Sequence, residues 1–65
     1  MKFLECHEEK TNIRVLIPFD KILSISENED GTAFVETHID IDGNGVGFNT
    51  KEFYAQLVLK LKVLS

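Results

Sequence analysis

Apolar and polar residues alternate through the first third of the chain. In KFLECHE, Leu4 and Cys6 point to one side of an extended segment, and Phe3, Glu5 and His7 to the other. In NIRVLIP, Ile13, Val15 and Ile17 alternate with Asn12, Arg14 and Leu16. A polar loop over residues 8–11 joins the two segments. Placing His7 opposite Asn12 sets Cys6 against Ile13 and Leu4 against Val15, so the apolar faces coincide. Pro18 cannot donate to a sheet ladder and predicts a bend with Phe19, Asp20 and Lys21. KILSIS resumes as a strand, and ENEDG is a turn signal before the alternating TAFVETHI. With Glu29, Asp30 and Gly31 as a three-residue loop and Gly31 left-handed, Ile25 faces Val35 and Leu23 faces Thr37.

The next stretch, HIDIDGNGVGFNTKE, admits two readings. Asp40, Asp42, Asn44 and Gly45 fall at the first, third, fifth and sixth places of an EF-hand calcium loop. The twelfth place holds Lys51 instead of a bidentate Glu, and the residues before Asp40 alternate like a strand where a helix is required. Asn44-Gly45 is also a strong type I′ hairpin signal, which places Ile41 opposite Phe48. The hairpin is the favoured reading, with weak cation binding by Asp40 and Asp42 as its only metal chemistry. Beyond it, Asn49 or Thr50 predicts a helix cap, with Glu52 reaching back to Asn49. The helix is expected over residues 50–64, without internal Gly or Pro.

The pattern therefore predicts one α+β domain over residues 1–65. A small antiparallel sheet of about five strands, built from β-hairpins over residues 2–8, 12–17, 21–26, 32–41 and 45–49, precedes one C-terminal α-helix. Phe53, Leu57, Leu61 and Leu64 make an apolar helical stripe, with Tyr54 and Val58 beside it. This stripe is expected to cover a sheet face of Leu4, Cys6, Ile13, Val15, Leu23, Ile25, Val35 and Ile41. Ala55, Leu59 and Val63 form a second apolar row on another side. One small sheet covers one side of a helix only. The second row, with Tyr54 and Val58, is expected to meet another copy of the chain, making the protein a homodimer or higher oligomer.

Size sharpens this expectation. A chain of 65 residues buries only about 60% of its unfolded surface and commonly needs a disulfide, a metal or a partner. Cys6 is the single cysteine, so no disulfide forms within the chain. A lone thiol, no signal-like N-terminus and no apolar run of about 20 residues lead to the expectation of a cytoplasmic protein that does not enter a membrane. The hydrophobic fraction of 43% is too high for disorder. A net charge of −4 with seven Lys and Arg leaves no broad basic field, so nucleic acid is not an expected partner.

Candidate chemistry changes the picture little. The second sheet face carries Phe3, Glu5, His7, Arg14, Leu16, Ile22, Ser24, Ser26, Phe34, Glu36, His38 and Asp40. Two Glu-x-His pairs have the right atoms for zinc or nickel, but each pair is spread by about 7 Å along its strand. Ser24 or Ser26 with His38 and Glu36 matches a triad by composition only, and no nucleophile elbow is present. Cys6 falls on the inward alternation, where a thiol packs. The chain is expected to be non-enzymatic, with no cofactor and no metal. The mixed face, through Phe3, Glu5, His7, Arg14, Phe34, Glu36 and His38, is expected to bind a partner, most simply another protein. Arg14, Phe34 and His38 at a subunit junction would instead suit a small molecule such as a nucleotide signal.

The order strand, "VLIPFDKILSISENEDGTAFVET", glycine turn and "FNTKEFYAQLVLKL" resembles the FlbD-type small flagellar proteins and related short phage proteins. Ile17, Asp20, Ile22, Ile25, Gly31, Gly45 and Glu52 occupy comparable places over residues 14–61. The chain departs from them in its longer hairpin over residues 40–47 and lacks their opening Thr-x-x-Asn/Asp-Gly turn. It is also superficially similar to the small CsrA-type RNA-binding dimers, whose partner its acidity disfavours. The resemblance implies no catalytic residues. It implies a small inhibitor or adaptor of phage or mobile-element type acting on a host defence protein, or a flagellar-type regulator.

Overall fold

A computed structural model describes residues 2–38 and 45–64. Among them, the chain runs through β1 (Phe3–His7), β2 (Arg14–Pro18), a single 3₁₀ turn (Phe19–Lys21), β3 (Ile22–Glu27), β4 (Thr32–His38), β5 (Gly45–Phe53) and α1 (Tyr54–Leu64). β1 and β2 form an antiparallel pair, and β3, β4 and β5 a three-stranded antiparallel sheet in that order. The expected α+β architecture, antiparallel strands followed by one C-terminal helix, is what the chain adopts. The calcium-loop positions Asp40, Asp42 and Asn44, together with Ile41, lie outside the described residues.

In the first hairpin the register differs by two residues from expectation. His7 pairs with Arg14, Cys6 with Val15 and Leu4 with Ile17. A slip of two keeps each paired side chain on its face, so Leu4, Cys6, Val15 and Ile17 stay inward. Ile13 moves out into the turn and is exposed. The turn is set by Glu8, whose carboxylate accepts from Thr11 N and Thr11 Oγ1 at 2.6 and 2.9 Å. Asn12 N donates to Glu8 O, and Asn12 itself sits at φ 61, a left-handed conformation that Asn tolerates. Pro18, expected in the bend, closes β2 opposite Phe3.

Between β3 and β4 the three-residue loop forms as expected: Gly31 has φ 89 and Ile25 pairs with Val35. Leu23 does not face Thr37. A bulge between Ile22 and Ser24 gives that place to Ile22, which packs on the core, and leaves Leu23 exposed. Gly45, expected in the turn, belongs to β5. His38 pairs with Gly45 and Phe48 with Val35, not with Ile41.

The largest departure is at the helix start. Residues 50–53 belong to β5, and α1 begins at Tyr54. Thr50 is fully buried, its hydroxyl donating to Ala33 O and Glu52 O at 3.3 and 3.0 Å, and it also bridges to Glu8. The carboxylate of Glu52 binds His7 and is not available to cap a helix. Gln56 makes the reach-back instead: its Oε1 accepts from Phe53 N at 2.9 Å, while Tyr54 N donates to Gly31 O. Phe53 consequently leaves the inward stripe and is exposed.

The buried apolar core comprises Leu4, Cys6, Ile17, Ala33, Val35 and Leu57, with Thr37 and Thr50 buried beside them. Val15, Phe19, Ile22, Ile25, Phe48, Tyr54 and Leu61 pack around it. On the opposite side of the three-stranded sheet, the Phe34 ring lies directly over Gly47. A Cβ added at Gly47 would stand 2.4 Å from Phe34 Cζ. Gly47→Ala is therefore expected to lower stability by about 1–3 kcal/mol in urea denaturation. Combining it with Phe34→Ala should cost less than the sum of the two single changes, because the second removes the clash.

Candidate functional site

The outward side of α1 carries two large apolar side chains, Leu59 and Val63, that the fold leaves exposed. Successive i, i+4 positions line up along a helix. Leu57 points into the core with Leu61 half-buried behind it, so Ala55, Leu59 and Val63 must ride the opposite side. Ala55 is exposed, Leu59 is 61% exposed and Val63 73%. Tyr54 and Val58 are half-buried along one flank. A groove of about 420 Å³ runs on that flank, lined by Tyr54, Ala55, Val58, Leu59 and Lys62. A second groove, of about 400 Å³, lies between the helix and β1 and is lined by Phe3, Glu5, Leu59, Lys60 and Val63. Leu59 belongs to both.

Two surfaces that the sequence keeps apart thus become one. Phe3, expected on the partner-binding face, sits across a groove from the helical row expected to meet another copy. Lys60 joins the walls of that groove, its Nζ donating to Glu5 O at 3.0 Å. Glu5 also meets Arg14, with Oε2 at 3.0 Å from Nε. Phe3, Glu5, His7, Arg14 and Leu16 occupy one side of the two-stranded sheet. Phe34, Glu36, His38, Ser24 and Ser26 belong to the three-stranded sheet, so the expected mixed face is divided between two sheets. Ser24 Oγ donates to Glu36 Oε1 at 3.4 Å. The two Glu-x-His pairs belong to different sheets, and among the described residues no group of three or more His, Cys, Asp or Glu side chains is placed to hold a metal ion.

His7 instead makes a contact that the sequence hides. Its amide donates to Glu52 Oε1 at 2.8 Å, and its ring Nδ1 lies 2.7 Å from Glu52 Oε2. Burial alone raises the affinity of the Glu52 carboxyl for a proton. The hydrogen bonds from the His7 ring and amide outweigh that effect and hold it below the usual carboxylate range. The pair joins residues 45 positions apart and ties β1 to the last turn of β5 before the helix. No spacing rule could have found it. A third feature is a polar cleft of about 340 Å³ among Glu9, Asn28, Glu29, Asp30, Thr32 and Asn49. The Asn28 amide bridges Thr32 Oγ1 and Asn49 Oδ1 across it, at 3.1 and 3.0 Å, holding the β3–β4 loop to β5.

Cys6 is fully buried, and desolvation, with Glu52 and Glu5 adding to it against Lys60, pushes its thiol up to about 11. A thiol so placed is packing material. No described helix is long and apolar enough to cross a membrane. No family model, curated protein or solved structure matches the chain.

Two outcomes follow from this chemistry. Glu52→Gln is expected to lower stability by about 1.5–3 kcal/mol at neutral pH, because a hydrogen-bonded charge is lost. Since the folded Glu52 binds its proton less tightly than its ordinary value of 4.5, its contribution is present above that pH and fades as pH falls through the lower folded value. Denaturation midpoints of both proteins between pH 3 and 7 should therefore converge on the acid side. Labelling of Cys6 by a neutral thiol reagent at pH 8 should be slow in the native protein and should follow global unfolding. Rapid stoichiometric labelling without denaturant would contradict the packed assignment.

Proposed function

We propose that this chain is a non-enzymatic, self-associating binding protein, and that the Ala55–Leu59–Val63 side of α1 is where copies meet. The observation that carries this reading is the ridge flanked by two grooves. Full burial of a Leu or Val side chain is worth about 1.5–3 kcal/mol. With 61% of Leu59 and 73% of Val63 exposed, each copy stands to gain about 2–4 kcal/mol, and a symmetric pair about 4–8 kcal/mol. Micromolar association requires about 8 kcal/mol net of the lost freedom of two molecules. The ridge alone falls short of that, so the grooves carrying Phe3, Tyr54 and Val58 have to join the contact.

The assembled form acts, in this reading, by occupying another protein through the polar and aromatic groups left outside the contact, among them Phe34, Glu36 and His38. Small size, net acidity and the resemblance to short phage proteins support a setting in which the bound protein belongs to a host defence. A flagellar-type regulator rests on the same resemblance. A small-molecule sequestering role draws on one observation, a groove of about 400 Å³ between β1 and α1, within the range that small ligands use.

Sedimentation of the purified protein at tens of micromolar is expected to show a concentration-dependent dimer or larger species. Leu59→Lys combined with Val63→Lys should sediment as a monomer with an unchanged circular dichroism spectrum. A wild-type chain that stays monomeric at one hundred micromolar, about 5.5 kcal/mol of association, removes the proposal.

A further inference from the structure

We infer that His7 is a phosphoryl-acceptor site: Glu52 fixes its ring so that Nε2 is an exposed nucleophile, and Arg14, opposite it on β2, meets the phosphoryl oxygens.

Glu52 decides the tautomer. Both of its oxygens face His7, Oε1 at 2.8 Å from the amide and Oε2 at 2.7 Å from Nδ1. Against burial, which favours protonation, the hydrogen bonds from His7 keep the carboxyl ionised, and an ionised carboxylate accepts without donating. The proton of the contact therefore sits on Nδ1, and in the neutral ring the free lone pair belongs to Nε2. Two anchors on one carboxylate fix the rotation of the ring as well as its tautomer. Nothing among the described residues bonds to Nε2, and the His7 side chain keeps 37% of its surface exposed. An accessible nucleophile oriented by a second group is the arrangement that covalent chemistry uses. His38 lacks it, because its ring has no hydrogen bond or ion pair among the described residues.

Charge selects the electrophile. When Nε2 forms a new bond the ring becomes a cation, and the Glu52 carboxylate already stands against it at Nδ1. A phosphoryl group brings three oxygens that need a cation of their own. Arg14 is the residue directly opposite His7 in the β1–β2 register. Opposed side chains on one face have Cβ atoms about 4.5–5.5 Å apart, within the reach of an arginine. Arg14 Nε lies 3.0 Å from Glu5 Oε2, but these side chains are 63% and 46% exposed, and such a pair is worth little. The guanidinium is free to turn from Glu5 to a phosphate, which it grips through two parallel N–H groups.

The step is a displacement without redox change. With phosphoramidate as donor, the Nε2 lone pair forms the new nitrogen–phosphorus bond. The bond from phosphorus to the amino nitrogen breaks, and ammonia leaves with its electron pair. The Nδ1 proton stays on the ring, against Glu52. The product adds negative charge to the side of β1 that also carries Phe3 and Glu5, so the modification changes what that face can bind.

Wild-type protein incubated with potassium phosphoramidate at pH 8 is expected to gain one phosphoryl group that is lost in acid and retained in base. Fragment mass spectrometry should place it on His7 about tenfold ahead of His38, and phosphorus NMR should show the Nε2 isomer. Glu52→Gln and Arg14→Ala should each slow His7 by about three- to tenfold and leave His38 unchanged, with circular dichroism confirming that the variants are folded. Self-association has no part in these outcomes. An unmodified wild-type chain, equal modification of the two histidines, or attachment at Nδ1 overturns the assignment without recourse to any variant. A His7 rate unmoved in folded Arg14→Ala overturns the part given to the guanidinium.

Discussion

The arrangement depends on a mismatch between one short helix and the small core available to it. Six buried apolar side chains, with two buried threonines, form the described core, and α1 contributes only Leu57 to that set. A second turn of inward contact is made by Leu61 at the edge. The sheet surface is then used up, because the strands are short and β1 and β2 stand as a separate pair from β3, β4 and β5. A helix that is apolar on two sides must show one of them to the surroundings.

The junction between the two sheets decides which side is shown. Glu52 and His7 tie β1 to the end of β5, Thr50 anchors the same segment through its hydroxyl, and Lys60 pins the helix to the Glu5 carbonyl. These contacts fix where the strand stops and therefore the angular phase of α1. Beginning at Tyr54, the helix turns Leu57 and Leu61 inward and sends Leu59 and Val63 out. The polar residues involved link separate elements of the fold. Their hydrogen bonds satisfy groups that burial would otherwise leave without partners.

Phe3 illustrates how a site can be assembled from parts with separate origins. In β1 it belongs to the outward alternation, with Glu5 and His7. In space it faces the helix row across a groove, because α1 packs alongside β1 with Lys60 reaching the strand. The outward alternation of β1 and the second apolar row of the helix, distinct as sequence patterns, thus border one groove. Phe34, Glu36 and His38 remain on the other sheet and are separate from it.

Period-two alternation by itself determined the strands and the inward identity of Leu4, Cys6, Val15, Ile25 and Val35, and the glycine turn determined the β3–β4 loop. Those features are local, or survive a register slip of two, which keeps each side chain on its face. The greasy second row of the helix was equally legible, since i, i+4 spacing needs no partner to be recognised. Tertiary structure alone decided the rest. The capping signal at Asn49 and Glu52 lost to strand pairing because Thr50 gains buried hydrogen bonds and Glu52 gains His7, groups 17 and 45 residues away. The bulge that exchanged Ile22 for Leu23, and the placing of Phe3 and Leu59 on one groove, likewise arise from contacts between distant segments. Local patterns set which face a residue prefers; only the folded chain sets what stands opposite it.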